Sequence, residues 1–308
     1  MRRLVLLLLI VCLTLSTTYL GIGCRGYFPR EHIDALGRVV RLDLKPDHIV
    51  SLSPSYTDIL FALGLGDKVV GRTDGCEYPE EASEKDIVVT SSVVNLENIA
   101  IKSPDLILAT RDHEKDVIPA LDEMGLVVVV LPDENVQNLI EIIRLIGSLT
   151  GARQQANDLV YQVGSRIKGI ASKIGSLSED ERPRTFYVTS QDPILTAGTG
   201  SIVDELIALA GGINIARDIP NDGLMDIEEV VNRDPEIIIA ATEEGVGGDA
   251  LLWWAKRDYD LGSTAARINQ KVFEVNVNQV GSSGPSVLEG LDQIARLLHP
   301  TLFTQSHS

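Results

Sequence analysis

Cysteine is nearly absent from this chain of 308 residues, which has only Cys12, Cys24 and Cys76. Cys12 lies inside an apolar N-terminal run and Cys24 just beyond it. Cys76 therefore stands alone in the remainder, no internal disulfide can form there, and the fold must be held by its cores. Histidine is scarce too. His32, His48, His113, His299 and His307 are scattered, which argues against a histidine-based metal site. Asp112-His113-Glu114 reads as a solvated loop rather than a ligand set. Positive charge is also short: 27 Lys and Arg face 44 Asp and Glu, for a net charge of −17. That balance argues against nucleic acid or an anionic bilayer as a direct partner. Beyond the N-terminus no apolar run reaches the roughly 20 residues that a spanning helix needs. Catalytic signatures are missing as well. There is no Gly-x-Ser-x-Gly elbow and no His-Glu-x-x-His, and Gly198-Thr199-Gly200 lacks the third glycine and acidic partner of a dinucleotide fingerprint. No catalytic residue, metal site or cofactor is assigned, and the chain does not read as an enzyme.

What is present begins at the N-terminus. Arg2 and Arg3 precede an almost wholly apolar stretch from Leu4 to Leu15, which fits a signal peptide over 1–23. It ends in Leu20-Gly21-Ile22-Gly23-Cys24, similar to a bacterial lipobox. Gly23 fits that pattern and Gly21 departs from it, because Leu is preferred there. The expectation is a lipid on Cys24, a tether over 24–33, and residues 25–308 outside the cytoplasm, anchored to the outer face of the cell membrane or periplasmic. An uncleaved anchor or an ordinary secretory signal would put them on the same side. Loss of 1–23 would remove Arg2 and Arg3 and no acid, leaving 25 basic against 44 acidic residues and a net charge of −19.

Residues 34–38 then read as a small hairpin, and Ile49-Val50-Ser51-Leu52-Ser53 as the first strong strand. A helix is expected from Tyr56 to Leu63, started by Ser55-x-x-Asp58, which has the spacing of a capping box. Short apolar runs at 69–71, 87–90, 106–109 and 127–131 alternate with helical patterns, and a longer helix is expected over 136–149. This alternation indicates α/β units on mainly parallel sheets. Residues 152–175 carry no turn signal and predict a helix roughly 35 Å long, at 1.5 Å per residue. It reads as a strut between an N-terminal lobe over 34–151 and a C-terminal lobe over 179–308, the strut itself spanning 152–178. The second lobe restarts with Thr185-Phe186-Tyr187-Val188 and closes with a helix from Ser286-x-x-Glu289 to Pro300.

The halves repeat. Asp58-Ile59-Leu60-Phe61-Ala62-Leu63-Gly64 matches Asp204-Glu205-Leu206-Ile207-Ala208-Leu209-Ala210. The segment from Leu96 to Ala109 matches that from Ile227 to Ala240 without a gap. Two similar lobes on a strut enclose a cleft, and clefts between domains are favoured ligand sites.

Several segments together carry a resemblance to a known family. They are 49–67, 70–79 with its Cys76-Glu77-Tyr78-Pro79, 195–201, 209–216, and the helix after Gly284-Pro285. The chain resembles the substrate-binding proteins of ABC importers for cobalamin, iron-siderophores and haem, and looks closest to the cobalamin branch. The resemblance covers nearly all of 34–303. It implies two Rossmann-like α/β lobes joined by one long bridging helix, and a monomer that takes a metal chelate from outside the cell to a permease and its ATPase.

By family position the ligand would meet Pro54, Ser55, Tyr56 and Thr57, then Gly75, Cys76, Ser91 and Ser92. From the second lobe it would meet Thr196, Gly198, Thr199, Gln279, Val280, Gly281 and Ser282. Helix starts at Ser53–Thr57 and Gly198–Ser201 would offer N–H groups. Gly75, Ser91 and Gln279 stand where cobalamin binders often carry rings, so Tyr56, Trp253 and Trp254 become the candidate stacking residues. A packed small hydrophobe is the other reading of Cys76, and one core with one surface residue the other reading of the Trp pair. Glu97 and Glu228, one per repeat, correspond to the glutamates that dock on permease arginines in the family. Each also suits the first turn of a helix on dipole grounds alone. A ferric siderophore or haem as cargo, and a surface sensor domain, are the competing readings.

Overall fold

In the computed structural model, the described residues are 28, 30–76, 78–90, 93–133, 135–242, 249–281 and 283–303. The expected signal peptide and Cys24 lie outside them, as do Ser91, Ser92 and Ser282. Among the described residues no helix is long and apolar enough to cross a membrane.

The first pair of strands, β1 (Arg30–Ile33) and β2 (Val39–Leu42), is an antiparallel hairpin. Asp34 builds its turn, its Oδ1 accepting the N–H groups of Leu36 at 3.0 Å and Arg38 at 2.9 Å. Residues 30–33, expected as tether, are thus a paired strand.

The N-terminal sheet contains β3 (Ile49–Ser51), β4 (Val69–Thr73), β5 (Ile87–Thr90), β6 (Val93–Val94), β7 (Leu106–Ala109) and β8 (Val128–Val130), in the order β6-β5-β4-β3-β7-β8. All pairs are parallel except β5 with β6. The helices of this lobe are α1 (Pro54–Ala62), α2 (Leu96–Ile101), α3 (Val117–Glu123) and α4 (Leu139–Leu149). α5 (Arg153–Ile174) follows, 22 residues long, close to the length expected of the strut.

Strands β9 (Arg184–Val188), β10 (Ser190–Gln191), β11 (Ile194–Ala197), β12 (Ile213–Asn214), β13 (Asp222–Leu224), β14 (Ile237–Thr242) and β15 (Val272–Asn276) make the second lobe. Its parallel sheet has the order β12-β9-β14-β15, and β10-β11-β13 form a small antiparallel sheet beside it. Around them lie α6 (Ile202–Leu209), α7 (Ile227–Arg233), α8 (Asp249–Arg257), α9 (Ala265–Ile268), α10 (Val277–Val280) and α11 (Val287–Leu298). The fold class is the one expected: two α/β lobes joined by a long helix.

Strict alternation of buried residues explains why these runs are strands. Ile49, Leu106, Leu108 and Val129 face one core, while Val50, Ile107, Ala109, Val128 and Val130 face another. In the second lobe Tyr187, Ile237 and Ile239 oppose Phe186, Val188, Ile238 and Ala240. Sheets covered on both faces need such continuous apolar runs. The inner cores of the two lobes are one cluster, continuous through Val163, Ile170 and Ile174 of α5 and Leu291 and Ile294 of α11. A wide rotation of the lobes would tear this cluster open, at about 25 cal/mol for each Å² of apolar surface exposed.

The repeat read from the sequence is structural. α1 and α6 end alike: Gly64 (φ 72°) and Gly211 (φ 83°) take the left-handed conformation after the last turn. Gly64 donates to Phe61 and Leu65 to Leu60; Gly211 donates to Ala208 and Gly212 to Ile207. These are two Schellman closures, and the positive φ is why glycine stands at both positions.

Candidate functional site

Each parallel sheet has a point where the strand order reverses, between β3 and β7 in one lobe and between β9 and β14 in the other. Loops leaving such points line a crevice in open α/β sheets. The two loop sets come from the two lobes, and their bases are in contact.

The N-terminal loop is held by Ser53. Its Oγ caps α1 by accepting the Ser55 N–H at 3.1 Å, and Pro54 occupies the first helical position. The expected cap, Ser55, is therefore inside the helix. Its Oγ instead accepts the Ser283 N–H at 3.1 Å, from the other lobe. Asp58 does not close a capping box either; its Oδ2 accepts the Ser286 N–H at 2.9 Å. Ser286 likewise makes no side-chain cap on α11. Both serine–acid spacings have the form of local helix starts, yet Asp58 of one and Ser286 of the other bond to each other across the lobes.

The expected ligand-binding positions divide by burial. Pro54 and Gly75 are exposed and adjacent, since a Cβ at Gly75 would sit 3.5 Å from Pro54 Cγ. Thr57 is buried, and Cys76 is 1% exposed, its Sγ 3.1 Å from Thr57 Oγ1 and 3.2 Å from Thr73 Oγ1. These contacts pin the 73–76 turn on α1, so Cys76 acts as a packed polar spacer. Tyr56 is 0% exposed with its hydroxyl 3.5 Å from the Pro132 carbonyl. It cannot stack on a ligand. Trp254 packs in the outer core of the second lobe, while Trp253 is exposed under the Arg257 guanidinium, 3.5 Å from the ring centroid. The pair is one core and one surface residue.

In the second lobe, Thr196 is buried and donates to the Tyr187 carbonyl at 2.7 Å. Gly198 N–H donates to Asn221 O at 2.6 Å and Thr199 N–H to Ile219 O at 2.7 Å. The N–H groups expected to face a ligand at this helix start are spent on the 219–221 loop, while the Ser201 cap forms as expected, accepting the Asp204 N–H at 3.2 Å. What faces solvent here is the Thr199 side chain, whose Oγ1 donates to Arg217 O. Gln279 is half-buried, Gly281 exposed and Val280 part of the shared core. His113 is occupied locally: its Nδ1 lies 2.9 Å from Thr110 Oγ1, and burial lowers its pKa.

Two features escaped the sequence. One is Asp58, which is 4% exposed; burial pushes its carboxyl up to about 6, against the lowering effect of the Ser286 hydrogen bond and with Glu289 adding to the rise. The other is an open cavity of about 710 Å³ beside the crevice floor, lined by Asp58 and Phe61 of α1, Tyr78 and Glu81 of the following loop, and Pro285 and Glu289 at α11. Tyr78 is its exposed aromatic. Burial raises its phenol pKa, and Glu289, Asp58 and Glu81 add to that. The match of Asp58 to Asp204 was the available signal for the first.

Glu97 and Glu228 occupy the second positions of α2 and α7. Both are exposed, and neither makes an ion pair among the described residues.

Two parallel-sheet lobes with facing loops, sharing one core along a bridging helix, define a two-lobed solute-binding protein. The chain belongs to the periplasmic binding protein family, whose sequence pattern matches residues 49–275. It is 33% identical over 283 residues to YvrC of Bacillus subtilis strain 168, an uncharacterised ABC transporter substrate-binding lipoprotein, covering 90% of this chain and 88% of that one. It is 27% identical to a cobalamin-binding protein of Halobacterium salinarum over 89% of this chain and 75% of the relative. The vitamin B12 binding protein BtuF of Vibrio cholerae superposes with a TM-score of 0.71 at 24% identity, over 85% of this chain and 99% of that one. Haem-binding BhuT, in complex with two haems, shares the fold at a TM-score of 0.75 and 18% identity, over 83% of this chain and 98% of that one. The chain is a binding protein of the ABC-importer kind and not an enzyme.

Proposed function

We propose that the protein captures a corrinoid in the crevice between its lobes and delivers it to an ABC permease and its ATPase from outside the cell membrane, held there by a lipid on Cys24. One observation carries the site: Ser55 Oγ and the Ser283 N–H meet at 3.1 Å, so loops 228 residues apart in sequence form one floor. Of the expected ligand positions, Pro54 and Gly75 of one lobe and Thr199 and Gly281 of the other are exposed, and Gln279 is half-buried. The cobalamin-binding relative supports the cargo. Exposed Glu97 and Glu228 are the docking contacts, where charge fixes register and speeds encounter.

The shared core supports a small closure on binding. A second reading keeps the same role with a ferric siderophore or haem as cargo. It is favoured by the burial of Tyr56, which leaves the N-terminal loop without a ring for corrin stacking. Calorimetric titration of residues 25–308 with cyanocobalamin, a ferric siderophore and haem separates these. One-to-one heat with cyanocobalamin is expected; heat with an iron chelate alone moves the cargo to the second reading, and heat with none removes both.

A further inference from the structure

Asp58 is held at a cost that folding alone does not explain. Its carboxylate is almost wholly buried, and its partner is not a cation but the Ser286 N–H at the start of α11. Buried charge without a counter-ion is expensive. Its surroundings make this worse. Glu289 of α11 faces it, Tyr78, Glu81 and Glu84 line the same cavity from the segment after β4, and Asp67 lies beyond the end of α1; among the described residues Lys85 is the one cation lining that cavity. The equivalent Asp204 of the second repeat is half-buried and accepts from Asn214 Nδ2 at 2.8 Å, inside its own lobe. The first repeat directs the same acid across the junction. Gly284 permits that approach, because a Cβ there would lie 2.3 Å from Asp58 Oδ2.

We propose that Asp58 is a positioning residue that sets the span of the crevice. By accepting the Ser286 N–H it holds the start of α11, and with it α10 and Ser283, in register with α1. Ser55, one turn earlier on the same helix, takes the Ser283 N–H, so α1 presents two acceptors to one segment of the other lobe. The contact sits at the crevice floor, where a small displacement changes the distance between both rims. Burial penalises the charged carboxylate by more than the Ser286 hydrogen bond favours it. Opening the junction hydrates the carboxylate, so the closed junction favours the proton; the junction therefore loosens as pH rises through the raised pKa of this acid, and the ligand is held less tightly above it. This consequence rests on the crevice being the ligand site, whereas the register of the lobes does not.

The test uses the free chain over residues 25–308, followed by the chain with cyanocobalamin, comparing wild type with Asp58→Asn and Asp58→Ala. In wild type the Ser286 amide resonance is expected to titrate together with the interlobe distance measured between spin labels. In Asp58→Asn, whose uncharged amide oxygen can still accept, both should be flat with pH and close to the wild-type low-pH values. Asp58→Ala should lower cyanocobalamin affinity by about tenfold, the equivalent of losing one hydrogen bond to a charged group, with Asp58→Asn restoring most of it. A pH-independent Ser286 resonance in wild type, or an Asp58→Asn protein that still titrates, overturns the proposal. If Asp58→Ala does not fold, the pH profiles of wild type and Asp58→Asn decide alone. Absence of cyanocobalamin binding by a wild type whose Ser286 amide titrates would reject the cargo and leave the junction standing.

Discussion

The two lobes carry the same helix with the same acid in its first half, and they use it differently. In the second repeat Asp204 ties α6 to Asn214, and the Ser201 cap, the Gly198–Asn221 pairing and the Thr199–Ile219 pairing close that region on itself. In the first repeat α1 is capped by Ser53 instead, which releases Ser55 and Asp58 to bond the other lobe. A duplicated unit thus supplies one self-contained loop and one junction. The lesson is that the polar groups at a helix start define a site only after their partners are counted.

The largest separation between the lobes is expected from the two acids. Asp58 has a folded pKa of about 6, above that of the unfolded chain, so the folded state holds the proton more tightly. Its contribution is fully present below about pH 4 and is lost as pH rises through 6, an effect on the order of 3 kcal/mol. Asp58→Asn should remove this slope, whereas Asp204→Asn should remove a bond local to its own lobe, worth about 1 kcal/mol. Urea unfolding of both variants across that range checks it.

Next come the glycines. Gly284→Ala would put a Cβ against Asp58 Oδ2, and Gly198→Ala would put one 2.0 Å from the Ile219 carbonyl. Both should cost about 1–3 kcal/mol by overpacking. Only the first should alter the interlobe distance, as spin-label measurements would show.

The serines follow. Ser55→Ala strands a buried N–H of Ser283 and should cost about 1–3 kcal/mol together with ligand affinity. Ser201→Ala loses a helix cap, about 1 kcal/mol, and should spare affinity. Thermal unfolding paired with calorimetry distinguishes them. The smallest effect on stability is expected from Glu97→Ala with Glu228→Ala, within about 0.5 kcal/mol as for other surface changes. That double variant should bind ligand normally and deliver it slowly. Normal uptake in a reconstituted permease assay would remove the docking role.

Much of this was legible in the sequence. Apolar runs such as 106–109 and 237–240, four residues long, fit strands covered on both faces, and the stretch from 153 to 174 fits a long helix. The pairing of repeats was visible for the same reason, because helix and strand periods are written in local residues. The site was less legible. Ser55 and Asp58 have the spacing of a capping box, and nothing local shows that Ser53, two residues earlier, takes that task. Tyr56 looked available because a strand-to-helix loop is usually open; here the first turn packs it against the β3 side of the core. Gly198 and Thr199 looked like free donors because the carbonyls that consume them lie some 20 residues away.

The most direct test of a ligand held between the lobes is backbone hydrogen exchange on the chain, free and saturated with whichever of cyanocobalamin, ferric siderophore or haem it binds. New protection is expected in both lobes at once, over 53–57 and 73–78 on one side and 276–284 on the other. Protection confined to a single lobe, or placed on the outer faces of the sheets, would contradict the account.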